Sequence, residues 1–409
     1  MTQTPSSLSV LDSPRAWRQL GLAMLAATVG NVGMWSYILV MPMVQAEFDL
    51  DRAEATLPYT FAMFGFALGN FVLGAAVDRF GLRLVLIASA CLLAAGHVAS
   101  TLVGNVTGLA LVQFFVGFGA AANFGPLVAS MSLWFKKRRG IAVALAASAN
   151  YLSGAVWPIV IGNIFVGWTW QNIYLAIAFS VLAVVVPVAL TLSRRPADPV
   201  AVAGNATPVV ETARPIVSSR ALLWLLVIAG VGCCVAMSMP QVHIISYCVD
   251  LGYGPAVGGQ MLSTMLLAGI LSRLVSGMLA DRIGGVATLL LGSSLQCLGL
   301  FLYLPFDGLV SLYIVSLIFG LSQGGIVPAY AIIVREYLPA KEAGAKVGLV
   351  MMATILGMAL GGWMSGWIYD LTGSYHAAFL NGIGWNLLNI AIIGGLWFRL
   401  RRAPQRVFA

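Results

Sequence analysis

Apolar stretches of roughly twenty residues or more, the length needed to cross a bilayer, recur twelve times along this sequence, and no other feature narrows its fold as far. The first six lie near 18–44, 57–77, 84–103, 108–134, 140–163 and 171–192. The second six lie near 221–248, 258–280, 286–304, 309–334, 346–368 and 377–398. A chain of 409 residues that is 60% hydrophobic and only 9% charged has too little polar surface for a soluble domain, and its 45 glycines suit helices that pack closely in lipid. The opening MTQTPSSLSVLD lacks the basic-then-apolar order of a cleaved signal, so the first helix is expected to remain. The five cysteines (Cys91, Cys233, Cys234, Cys248 and Cys297) fall in apolar stretches without metal-ligand spacing and read as small buried hydrophobes. No metal or cofactor is expected.

The expected architecture is an all-α membrane protein of twelve transmembrane helices in two pseudo-symmetric six-helix bundles. Residues 1–193 form the first bundle, 194–219 a polar, Pro-containing cytoplasmic linker, and 220–409 the second bundle. With the N-terminus inside, every Lys and Arg except Arg52 and Arg273 falls on the cytoplasmic side or in a tail. The first external loop is acidic (Glu47, Asp49, Asp51, Glu54), so the positive-inside rule places both termini in the cytoplasm. The net charge of +8 is therefore a signal of topology and not of nucleic-acid binding, which would need those charges gathered on a soluble domain. The expected location is the plasma membrane, the inner membrane if the source is bacterial.

Arg273 stands alone in the interior of an apolar span, LAGILSRLVSGMLADRIGG. Counted back from Asp281 it lies about 12 Å inside the membrane, where an ionisable side chain is costly and by default functional. Gly269, Ser276, Gly277 and Ala280 share its side of the helical wheel, a small-residue stripe expected to leave room for the guanidinium and a ligand beside it. The competing reading is a structural arginine bonded to carbonyls of a neighbouring helix.

A repeat supports the two-bundle plan. Gly74, Asp78, Arg79 and Gly81 after the second helix, and Gly277, Asp281, Arg282 and Gly284 after the eighth, both follow G-x-x-x-D-R-x-G. Glycines there allow a tight turn, while Asp and Arg can pair across a mobile interface, so the two loops read as conformational switches.

These paired loops resemble the signature loops of the major facilitator superfamily, and the twelve-helix plan extends the resemblance over nearly the whole chain. Within it, GFGAAANFGPLVASMSLWFKKRRGIAVALAASANYLSG (117–154), the tail GWIYDLTGSYHAAF (366–379) and the arginine of the eighth helix are similar to the monocarboxylate and oxalate/formate transporters. The resemblance implies the major facilitator fold and alternating access. Departures sharpen it. The eleventh helix lacks the lysine of the oxalate exchangers, which favours a monoanion over a dicarboxylate. The aspartate that some relatives carry one turn before the arginine is Gly269 here, which removes that route for proton coupling.

Other polar side chains at mid-depth are candidate substrate contacts: Asn31 (with Trp35), Asn123 (with Ser130), Asn150 (with Trp157), Gln323 and Tyr330. Gln323 and Tyr330, seven residues apart, are expected to form one stripe on the tenth helix. Each of these could instead join helices, since a buried amide or phenol needs a partner. Tyr37, nearer the outer surface, is a candidate gate. His97, His243 and His376 fall toward external helix ends; His243 is a candidate for coupling because histidine titrates near neutral pH, its alternative being a hydrogen-bonded interfacial role. Pro158, Pro240 and Pro328 are expected to kink their helices.

No catalytic motif is present, so an enzyme is not expected. The expected activity is secondary or facilitated movement of a small organic monocarboxylate across the bilayer by a monomer, with Arg273 on the carboxylate and a proton or counter-anion as the coupling partner. Two alternatives are an exporter of a neutral or amphipathic compound with Arg273 structural, and a membrane receptor that moves nothing.

Overall fold

The computed structural model describes residues 11–193, 218–338 and 340–402. The expected linker, apart from its last two residues, lies outside the described residues, as do Arg194, Arg195, Arg214 and Arg406. Twelve helices among the described residues are long and apolar enough to span a membrane: α1 (Pro14–Phe48), α2 (Arg52–Phe80), α3 (Leu82–Ser100), α4 (Val106–Ser132), α5 (Arg139–Ile164), α6 (Trp170–Thr191), α7 (Ser219–Asp250), α8 (Pro255–Ile283), α9 (Gly285–Leu302), α10 (Leu309–Tyr337), α11 (Ala340–Thr372) and α12 (Tyr375–Arg402). Each expected span has its helix. Helices are the natural outcome, because lipid offers no partner for a backbone N–H or C=O and the helix satisfies both within itself.

Three of the twelve are interrupted. α1 breaks at Asn31, between Pro14–Gly30 and Val32–Phe48. α4 passes through a short 3₁₀ turn, Ala121–Asn123, and restarts at Gly125. α10 breaks at Gly324 and Gly325. Proline explains the last two, since a proline ring removes the N–H that the carbonyl four residues earlier would accept. Pro126 follows the break in α4, and Pro328 that in α10, where the deprived carbonyl is that of Gly324. Pro158 and Pro240, by contrast, sit inside α5 and α7 without interrupting them.

The residues group into two compact units: Met1–Thr207 with Ile244–Leu267, and Pro208–His243 with Ala268–Ala409. The division differs from the sequence reading in one place, because the end of α7 and the start of α8 belong with α1–α6. Direct contacts account for it. Asp250, the last residue of α7, accepts from Arg52 Nη2 through both carboxylate oxygens at 2.8 and 3.1 Å. Ser263 Oγ donates to the Ala155 carbonyl at 2.7 Å, and Leu266 and Trp35 lie where a side chain at Gly154 would project.

Within the first unit the N-terminal segment is tied to the turn between α4 and α5. The Asp12 carboxylate accepts the backbone N–H groups of Lys136, Lys137 and Arg138 at 2.9–3.1 Å, and Trp17 meets the ring of Phe135 edge-on. Burial raises the carboxyl's pKa, but these three bonds and the charge of Lys137 outweigh it and hold Asp12 below the usual carboxylate value.

The repeated loops close in the same way. Gly81 and Gly284 stand at φ 83° and 81°, each donating its N–H to the carbonyl four residues back, so the second glycine of each motif ends its helix in a conformation that a side chain would strain. At Gly74 and Gly277 the space that a methyl group would occupy has no neighbouring atom within 4 Å, so neither glycine is required by close packing.

Candidate substrate site

Arg273 is buried in the middle of α8, and its Nε donates to the Gly324 carbonyl at 3.3 Å. That carbonyl is the one left without its helical donor by Pro328, so the break in α10 and the arginine of α8 are two sides of one arrangement. The small-residue stripe is largely filled by α10. A methyl at Gly324 would fall on the Gly269 carbonyl oxygen and lie 2.7 Å from Arg273 N, and one at Gly325 would strike Ser276. The expected room beside Gly269 and Ser276 is taken because two glycines let α10 approach to backbone contact; Gly277 faces open space.

Gln323, the residue before Gly324, pairs with Gln241 of α7: Gln241 Nε2 donates to Gln323 Oε1 at 2.6 Å, and both side chains are fully buried. Sequence reasoning misses Gln241, although an amide at mid-span is the same signal that marks Asn31. The stripe expected from Gln323 to Tyr330 does not form, because the break in α10 lies between them. The Tyr330 hydroxyl instead donates to Asn389 Oδ1 of α12 at 2.9 Å, Asn389 Nδ2 donates to Ser293 Oγ of α9 at 2.7 Å, and Asn386 Nδ2 to the Ser293 carbonyl at 2.8 Å. Asn386 and Asn389, three apart on one helix face, are the sequence signal for this network.

In the first unit Asn31 and Asn123 come together at the breaks of α1 and α4. Asn31 Nδ2 donates to the carbonyls of Ala27 (2.9 Å) and Asn123 (3.0 Å), and the Asn123 side chain covers Gly30. Asn150 binds Trp35, whose Nε1 donates to its backbone and side-chain oxygens at 3.1 and 3.2 Å. These contacts join α1 to α4 and to α5.

Tyr37, the candidate gate, is buried with its hydroxyl donated to the Ala55 carbonyl at 2.6 Å. Both ring nitrogens of His243 are engaged, Nε2 with the Gly362 carbonyl at 2.8 Å and Nδ1 with the Tyr375 hydroxyl at 3.0 Å. A carbonyl only accepts, so Nε2 carries a proton and donates to Gly362, while the Tyr375 hydroxyl can serve Nδ1 as donor or acceptor. His97 is buried rather than interfacial, with Leu93 O at 2.8 Å and Ser36 Oγ at 3.1 Å. Asp78, Arg79, Asp281 and Arg282 of the repeated loops are exposed. A cavity of about 930 Å³ in the first unit borders Asp78, Gly81 and Arg83 of the first repeated loop together with Arg15, Ser130 and Trp134; of the candidate contacts it reaches Ser130.

The sequence model of the Major Facilitator Superfamily matches residues 23–306 and 244–409. The chain belongs to the major facilitator superfamily. Among curated relatives, it is 27% identical to monocarboxylate transporter 13 of Bos taurus over 76% of this chain and 73% of that protein. It is 23% identical to the agnestins efflux protein AgnL12 of Paecilomyces divaricatus over 88% of this chain and 80% of that one. Among solved structures, the nucleoside transporter NupG superposes with a TM-score of 0.73 at 15% identity, covering 93% of this chain and 99% of its own. A bacterial homologue of the human lysosomal transporter Spinster gives 0.70 at 13% identity, over 95% and 98%. At such identities the two structures speak for the fold alone. The chain is thus a transporter of the major facilitator superfamily, similar to the monocarboxylate transporters, and an integral multi-pass protein of the plasma membrane.

Proposed function

We propose that this facilitator moves a small organic monocarboxylate by alternating access, with Arg273 as the charge that binds the carboxylate. The observation that carries this reading is the guanidinium buried in mid-span at the α8–α10 contact, where it donates to the Gly324 carbonyl. A guanidinium is a planar fork of N–H donors, and a carboxylate matches that fork with two parallel bonds. The similarity to monocarboxylate transporters agrees with it. Gln323 completes the polar end of the site; Asn31, Asn123, Asn150 and Tyr330 set the helix contacts around which the bundles hold their shape. Both termini lie in the cytoplasm, as the distribution of Lys and Arg directs.

The bond from Arg273 to Gly324 also favours a second reading, in which the arginine is structural and the cargo is neutral or amphipathic, as the likeness to a fungal efflux protein would suit. Substitution separates the two. Lysine cannot reproduce the two-pronged contact, so R273K is expected to lose most carboxylate uptake in proteoliposomes and R273Q essentially all, with the protein still monodisperse. Full carboxylate uptake by R273Q would remove Arg273 from substrate binding.

A further inference from the structure

Each unit joins its first and fourth helices through amide residues at the break of the fourth: Asn31 donates to the Asn123 backbone carbonyl, and Gln241 to the Gln323 side chain. The two pairs are spent differently. Asn31 Nδ2 has a protein acceptor for each of its two N–H groups, so the atoms of that pair without a hydrogen bond, Asn31 Oδ1 and Asn123 Oδ1, are both acceptors. In the second pair, Gln323 Nε2 and Gln241 Oε1 make no hydrogen bond, one a donor and the other an acceptor, although both side chains are fully buried. Turning both amides over exchanges the atoms but leaves the same remainder, one NH₂ and one carbonyl. A buried donor and a buried acceptor left unspent on facing side chains are each costly out of water, and one ligand group that both donates and accepts would relieve both. The residue after Gln323 carries the carbonyl that holds Arg273.

We propose that Gln241 and Gln323 are specificity-determining residues that recognise a second, uncharged group on the transported acid, one that both donates and accepts a hydrogen bond. This rests on the carboxylate reading of Arg273. A hydroxyl or a carboxamide meets both amides. An alkyl chain meets neither and leaves both unpaired, and a site built for hydrogen bonds discriminates strongly against an analogue that lacks them.

The test is uptake by the full chain in proteoliposomes, comparing butanoate with its 2-, 3- and 4-hydroxy derivatives, with succinamate, and with the uncharged 4-hydroxybutanamide. At least one polar acid is expected to exceed butanoate in kcat/KM by about tenfold or more. In Q323M and Q241M, which keep side-chain volume, that ratio is expected to fall toward one, a change that loss of a purely structural contact would not produce. Equal handling of butanoate and all polar acids by the wild type overturns the inference, whatever the variants do, as does a ratio unchanged in both variants. Acid uptake that survives R273Q overturns the carboxylate role of Arg273 and leaves the amide ratio to be judged by itself. Transport of 4-hydroxybutanamide with no acid transported overturns both.

Discussion

At the scale of single residues, Pro328, Gly324 and Arg273 form a chain of cause. Proline withholds an N–H, the glycine carbonyl is left open, and the arginine one helix away donates to it. Glycine at 324 is required by contact and not by backbone angle, since its φ of −60° suits any residue. G324A is therefore expected to destabilise the protein by about 1–3 kcal/mol through overpacking against Gly269 and Arg273. G277A, with open space at the same point, should stay within about 0.5 kcal/mol of wild type. Thermal unfolding in detergent measures both, and an equal effect of the two would refute the packing argument. Gly277 is thus not held by helix contact.

At the scale of elements, Arg52 answers a puzzle of the sequence, where it is the one arginine in an otherwise acidic outer loop. It is buried at the start of α2 and paired with Asp250 at the end of α7. Removing Asp250 takes the carboxylate from a buried cation, whereas removing Arg52 leaves a carboxylate that is 27% exposed, so D250A should cost more than R52A, up to about 3 kcal/mol. Faster hydrogen exchange near residue 250, with partial recovery in the charge-swapped R52D/D250R, would support the pairing; no change in D250A would refute it. At the other end of the first unit Asp12 clamps the turn 136–138. Its folded pKa is depressed, so its stabilisation is present above its unfolded value of 3.8 and is lost as pH falls through the lower folded value. Amide exchange of Lys136, Lys137 and Arg138 should therefore rise below about pH 4 in wild type and be fast at neutral pH in D12A. Exchange unaffected by D12A would dissolve the clamp.

At the scale of the whole molecule, the proposed carboxylate role of Arg273 bears on coupling. Among the described residues every Asp and Glu side chain lies in a loop or in the first or last turn of a helix, and His243 has both nitrogens engaged. If Arg273 binds the carboxylate as proposed, the buried site carries less positive charge loaded than empty, and burial of net charge disfavours return of the empty carrier. Exchange of anion for anion, or facilitated monoanion movement, should therefore outpace tightly coupled proton symport. Proteoliposomes loaded with counter-substrate are expected to take up labelled acid faster than those given only an inward proton gradient. Concentrative uptake driven by protons alone, without stimulation by counter-substrate, would reverse this reading.

Length, hydropathy and the doubled G-x-x-x-D-R-x-G were enough to place all twelve helices and the family, because spanning lipid is a demand on each segment by itself and is met by local hydrogen bonds. The site was legible only in part. Arg273 declared itself by being charged where charge is costly, but its partner did not, since a carbonyl freed by Pro328 is invisible until α8 and α10 are in contact. The same holds for Gln241 with Gln323, for Tyr330 with Asn389, and for Arg52 with Asp250, residues far apart in the chain whose pairing depends on how helices pack. The sequence says that a buried amide must find a partner; the tertiary structure alone decides which, and so which atoms remain for a ligand.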